Sequence, residues 1–295
     1  MKNLILAILL GVIANLANAQ VSIGIDVNGE YFSYNATNLS RIYDAILKNP
    51  EKIGSSTLKA VADSYFTGKM YFEWMQLDEV CEKNMDKAFK LYSLLSYGNY
   101  ETKDMYHGQM RLGTMYIQGL GVPQDIKKGF AKYMGAATEG NTSAQIFVAR
   151  SYLTGEYSNQ DYKQANFWFT KASEPTDGDR DSSRNGYACY MLGCAYYDGN
   201  ALANGTVDYV KAVEFLRVNL RFLQRHYRDI IDNGDEDEKR DLSDVCKKLQ
   251  TCYRFGRGIE KDEEWADGLL QMAAELGDYK AKTLLDFQNE KPTLY

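Results

Sequence analysis

The chain is short of the residues and patterns on which common enzyme chemistry depends. Only two histidines occur, His107 and His226, and neither belongs to an HExxH or a Cys/His cluster. The usual zinc spacings are therefore missing, and no metal or cofactor is expected. There is no Walker A sequence and no G-x-S-x-G elbow, which removes two widespread signatures of phosphate binding and acyl transfer. No C-x-x-C is present, so a thioredoxin-type redox pair is excluded. Prolines number four, and with no alternating apolar/polar stretch read along the chain this predicts helices throughout. Beyond the first residues no apolar run reaches the roughly 20 residues of a membrane helix. A formal net charge of −6 disfavours a nucleic-acid surface, which is normally basic.

What is present begins with an export pattern. Lys2, the apolar run of residues 4–13 and the small-x-small triplet Ala17-Asn18-Ala19 read as a signal peptide over residues 1–19. The expected product is a soluble periplasmic or extracellular protein with its mature end near Gln20. Four sequons, at Asn35, Asn38, Asn141 and Asn204, would be glycosylated in a eukaryotic secretory route. The five cysteines are Cys81, Cys189, Cys194, Cys246 and Cys252. Their odd count leaves at least one unpaired, and those sharing a helix point apart. Small buried side chains are the expected role.

A tyrosine followed three residues later by glycine recurs five times: Tyr65/Gly68, Tyr116/Gly119, Tyr152/Gly155, Tyr196/Gly199 and Tyr253/Gly256. A small residue follows at a fixed offset, Gly129, Ala165 and Ala266 in three copies. In the other two, Ala88 and Ala212 come later by ten and three residues, which predicts longer loops. Each Tyr is expected near the end of a first helix, with the Gly taking the left-handed conformation that stops it. Asp125 is expected to cap the second helix of its pair. Small residues three before the Tyr, such as Gly113, Ala149 and Gly193, let helices approach closely. This predicts an all-α solenoid of about five helix–turn–helix units.

The segment Leu112-Gly113-Thr114-Met115-Tyr116-Ile117-Gln118-Gly119-Leu120-Gly121-Val122 resembles the first-helix signature of the Sel1-like repeats, relatives of the tetratricopeptide arrays. Residues 129–140 are similar to the second-helix half. Leu192-Gly193-Cys194-Ala195-Tyr196 and Ala273-Ala274-Glu275-Leu276-Gly277 repeat parts of the pattern. The resemblance implies an α/α solenoid with a C-terminal capping helix, acting as a protein-interaction scaffold rather than as an enzyme. One cysteine-rich secreted subgroup of that family is linked to β-lactam binding. Its members pair cysteines between one repeat's second helix and the next repeat's first. Cys189 and Cys246 match the first-helix position, but Ser173 and Leu220 stand near where the partners would be.

The organisation expected is a signal peptide (1–19), a polar lead with a short helix at Leu39–Lys48 (20–55), the repeat body (56–288) and a tail (289–295). Residues 70–84 form an insertion, 173–186 a polar loop, and 222–240 an extension of the fourth copy carrying the acidic run 235–238. Ser56-Thr57-Leu58-Lys59 matches S-x-x-K, but no K-T-G accompanies it, so Ser56 is read as a helix cap. Asp177, Asp179 and Asp181 imitate a calcium loop, with Ser182 and Ala188 where Gly and Glu belong.

Drawn from the Tyr, positions −6, −5, −2 and +1 fall on one side of each first helix. They hold Met110, Arg111, Ile117, Ile146, Phe147, Arg150, Leu153, Tyr190, Met191 and Tyr197, then Lys247, Lys248 and Arg254 in the fifth copy. The expectation is an apolar groove with a basic end, suited to an acidic peptide or to a glycan; the alternative is helix-to-helix core. Rival functions are an exported β-lactam- or cell-wall-directed hydrolase and a glycan- or peptidoglycan-binding protein.

Overall fold

The structure is a computed structural model that describes residues 12–14, 21–27, 30–72, 75–98, 100, 102–174 and 183–289. It divides into two compact units, Met1–Glu139 and Gly140–Tyr295. In the first unit, β1 (Val12–Ala14), β2 (Val21–Val27) and β3 (Glu30–Ser33) form an antiparallel sheet ahead of α1 (Leu39–Lys48). Two helix pairs follow. The first is α2 (Ser55–Thr67) with α3 (Met85–Tyr97), and the second is α4 (Thr102–Gln118) with α5 (Ile126–Thr138). A hairpin of β4 (Lys69–Phe72) and β5 (Met75–Val80) lies between α2 and α3.

The second unit holds three pairs: α6 (Thr142–Thr154) with α7 (Tyr162–Ser173), α8 (Ser183–Asp198) with α9 (Tyr209–Asn233), and α10 (Glu236–Phe255) with α11 (Glu263–Glu275). α12 (Tyr279–Asn289) packs on α11 and closes the series. In each unit every second helix also packs on the next first helix, which is how an α/α solenoid buries a continuous interior.

One local device is repeated in all five pairs. The glycines after the tyrosines, Gly68, Gly119, Gly155, Gly199 and Gly256, all adopt positive φ and stop the first helix. The chain then turns back, and the tyrosine carbonyl accepts a backbone N–H from the residue that caps the second helix. These bonds run from Asn84 to Tyr65, Asp125 to Tyr116, Asp161 to Tyr152, Asp208 to Tyr196 and Asp262 to Tyr253, at 2.8–3.0 Å. Each capping side chain accepts from the first turn of its own helix, satisfying a donor that the helix cannot. In four of the five pairs the third residue beyond the cap then covers the ring. Lys87, Lys128 and Lys211 place their ammonium groups 4.8, 5.9 and 4.9 Å from the Tyr65, Tyr116 and Tyr196 centroids. Trp265 stacks on Tyr253 at 6.0 Å. Asp125→Ala is expected to cost about 1 kcal/mol, read as a lower urea midpoint, with Asp125→Asn recovering most of it.

Several expectations are corrected. Residues 20–37 are not simply a lead: Val21–Val27 alternates apolar and polar side chains and pairs with β3, so helices do not run throughout. The insertion at 70–84 contains a hairpin, and the three extra residues of the fourth copy are accommodated by a 3-10 turn at Ala201–Ala203. Ser56 is not a cap, because α2 starts one residue earlier and Gly54 holds the cap position. The acidic run does not extend the fourth pair: α9 ends at Asn233, and residues 235–238 form the cap and first turn of α10. The polar loop is shorter than 173–186, since α8 begins at Ser183. Most of the signal peptide (1–11 and 15–19), the Asp177/Asp179/Asp181 run and most of the tail lie outside the described residues.

Candidate functional site

In the second unit the first helices α6, α8 and α10 lie side by side in that order, so equivalent positions on them share a face. Ile146, Phe147, Leu153, Tyr190, Met191 and Tyr197 are all half-buried there, neither sealed nor fully open. Phe147 stacks on Tyr157 with centroids 5.3 Å apart, and the exposed Arg150 sets its guanidinium 6.0 Å from the Tyr187 ring. Tyr197 meets Tyr209 edge-on at 5.4 Å and carries the Lys248 ammonium at 4.5 Å.

The basic end is matched by carboxylates of the chain itself. Lys247 pairs with Asp278 at 2.7 Å, Lys248 with Asp198 at 2.9 Å and Asp244 at 3.9 Å, and Arg254 with Asp267. Burial would depress the Lys248 ammonium, but the bond to Asp198 and the charge of Asp244 outweigh it and hold its pKa above the ordinary lysine value. Charge reversal at Lys248 would gather three carboxylates, so it would destabilise the fold as well as alter the surface. These three cations neutralise neighbouring helices and are not an open basic patch. Sequence spacing hid most of this because Asp278, paired with Lys247, and Asp198, the nearer partner of Lys248, lie 31 and 50 residues away.

In the first unit the corresponding residues are more deeply committed. Ile117 is 8% exposed and lies in the α4–α5 seam, where a Cβ on Gly129 would stand 2.5 Å from its Cγ1. It belongs to the core. Met110 is half-buried. Arg111 stacks over Phe66 at 4.9 Å and lies 3.8 Å from Asp63. That carboxylate also accepts from the Tyr92 hydroxyl at 2.5 Å and meets His107 Nε2 at 2.9 Å. The cluster was not legible in advance, because its members come from α2, α3 and α4.

Two open concavities of the second unit flank α10. One, of about 420 Å³, is bounded by α8, α9 and α10; the other, of about 590 Å³, lies between α10 and α12, and Tyr190 borders both. The cysteines are all free, and four are buried. Burial pushes the thiols of Cys189, Cys194 and Cys246 up to about 12 and that of Cys252 to about 11, which suits packing rather than reactivity. Among the described residues no group of three or more His, Cys, Asp or Glu could hold a metal ion, and no helix is long and apolar enough to cross a membrane.

Comparison with known proteins adds a family to this geometry. The profile of the Sel1 repeat matches residues 64–100, 107–131, 142–174, 186–217 and 251–278, one segment for each helix pair. A search of curated proteins finds no match. Among solved structures, a Sel1 repeat protein from Oxalobacter formigenes is 23% identical over 85% of this chain and 88% of that one, with a TM-score of 0.51. A protective antigen of uropathogenic Escherichia coli strains with an SLR fold is 20% identical over 83% of this chain and 51% of its own, with a TM-score of 0.47. At these identities the likeness concerns the fold.

Proposed function

The chain belongs to the Sel1 repeat family, and on that basis we propose that it is an exported, non-catalytic scaffold that holds a protein partner on the first-helix face of its pairs. The observation that carries the reading is the alignment of α6, α8 and α10, with half-buried Ile146, Phe147, Tyr190, Met191 and Tyr197 beside an exposed Arg150. Repeat arrays characteristically use such a face for partners, and aromatic and arginine side chains are the commonest anchors in interfaces. Export is supported by Lys2, the apolar run 4–13 and Ala17-Asn18-Ala19. Cleavage after Ala19 would remove β1 and leave the β2–β3 pairing in place. The acidic partner expected from the basic end has less to recommend it, since Lys247, Lys248 and Arg254 are already neutralised.

The test is capture from the chain's own cell envelope by the wild type and by an Arg150→Ala/Met191→Ala variant. Capture of a defined protein should fall by about five-fold in the variant, or roughly 1 kcal/mol, with the melting temperature unchanged. A matching fall in melting temperature would make the face structural, and retention of glycans in place of a protein would favour the glycan reading.

A further inference from the structure

The hollow bounded by α8, α9 and α10 differs in kind from the basic end. Its floor is aromatic and aliphatic, made by Tyr187 and Tyr190 of α8, Phe222 of α9, and Leu242 and Val245 of α10. Its rim is acidic, with Asp235, Asp237, Glu238 and Asp241 on one side. The walls are held in place by Asn219, which is 7% exposed. Its amide donates to the Gly186 carbonyl at 3.0 Å and accepts the Tyr190 N–H at 3.2 Å, tying α9 to α8.

The charge balance of the rim remains negative. Arg240 pairs with Asp237 at 2.7 Å and reaches Asp241 at 3.5 Å, while Arg150 lies over the Tyr187 ring. Asp235 is occupied in capping α10 through the Glu238 N–H. Among the described residues no lysine or arginine stands within ion-pair distance of Glu238. Acidic residues in a first helical turn are stabilised by the helix dipole, which accounts for Glu236 and Glu238 equally. It accounts neither for Asp241, a turn further on, nor for the aromatic floor beneath it.

We propose that this hollow receives an arginine side chain from an extended segment of the protein partner. The proposal rests on the interaction reading above and supplies its chemistry. A guanidinium can stack on aromatic faces while donating to carboxylates at their edge, which an ammonium does less well. The volume of about 420 Å³ lies within the range of side-chain and small-ligand sites.

The probe is a nine-residue Gly/Ser peptide, acetylated and amidated at its ends, with one central arginine; glutamine and glutamate versions serve as comparators. Titration into the full chain, followed by backbone amide shifts, should move Tyr187, Tyr190 and Glu238 first. The arginine peptide should bind at least about five-fold more tightly than the glutamine one, and the glutamate one should not bind there. Glu238→Gln/Asp241→Asn should weaken arginine binding by about ten-fold. Glu236→Gln, which removes one charge from the first turn of α10 outside the hollow, should not. Tyr187→Leu should also weaken it, and it guards against a folding defect in the double variant. Equal binding of the arginine and glutamine peptides, shifts confined to another surface, or an equal loss in Glu236→Gln would overturn the proposal. If the arginine peptide binds here but the chain captures no protein, the interaction reading fails and the hollow stands. A captured protein with no arginine binding at the hollow gives the reverse.

Discussion

Gly258→Ala, or its counterpart Gly121→Ala, is expected to destabilise its unit by about 3 kcal/mol, read as a fall in the urea midpoint. The figure combines the roughly 1–2 kcal/mol cost of a left-handed residue with the roughly 1–3 kcal/mol cost of overpacking. Gly121 and Gly258 each lie five residues beyond a repeat tyrosine, with φ of 68° and 70°. A Cβ on Gly258 would fall 2.3 Å from the carbonyl carbon and oxygen of Tyr209, and one on Gly121 2.6 Å from those of Met85. Tyr209 and Met85 open the second helices of the preceding pairs, α9 and α3. The close approach is therefore the joint between successive pairs, and backbone cannot swing aside as a side-chain tip can. Gly277→Ala provides the control, because Gly277 also has positive φ but no atom within 4 Å of the added Cβ. It should lose only the conformational part.

The second large effect is expected at Asp63. Asp63→Ala should cost about 3 kcal/mol, because it leaves the Tyr92 hydroxyl and His107 without the acceptor they share and strands Arg111 beside them. Burial alone would raise the Asp63 pKa. The hydrogen bond and charge of His107, the Tyr92 hydroxyl and the Arg111 charge together outweigh burial and hold it below the ordinary value. A depressed folded-state pKa means that the stabilisation is complete above the unfolded value of about 3.9 and is lost as pH falls through the folded value. The difference in urea midpoint between wild type and Asp63→Asn should thus shrink below about pH 4. A constant difference down to about pH 3 would show that Asp63 acts through packing alone.

The repeated tyrosines and glycines carried most of the fold on the surface of the sequence. Gly119 and Asp125 marked a stop and a start, and the same pair of signals recurs in all five copies with spacers of different length. What was misread was local alternation and distant pairing. Val21-Ser22-Ile23-Gly24-Ile25-Asp26-Val27 has the period of a strand, but it is short and was absorbed into a polar lead. The apolar spacing of Leu216, Leu220, Leu223 and Ile230, all buried, runs through Phe222 into the extension, so α9 simply continues to Asn233. In α6 and α8 the residues that the helical wheel puts on the first-helix face are half-buried or exposed, whereas Ile117 lies in the seam with Gly129. The charges of Lys247, Lys248 and Arg254 could not be judged from sequence, since only packing brings Asp278, Asp198 and Asp267 to them. The capping helix is similarly two-sided. Ala281 is buried on α11, while Tyr279, Leu284 and Phe287 remain exposed.

The central claim is that partners dock on the first helices rather than on the second. The most direct measurement places a photo-crosslinking residue at Arg150 of α6 in one variant and at Phe167 of α7 in another. Both positions are exposed and both belong to the same pair. Irradiated in the cell envelope, the Arg150 variant should give a discrete crosslinked product and the Phe167 variant none. The same product from Phe167, with none from Arg150, would contradict the account.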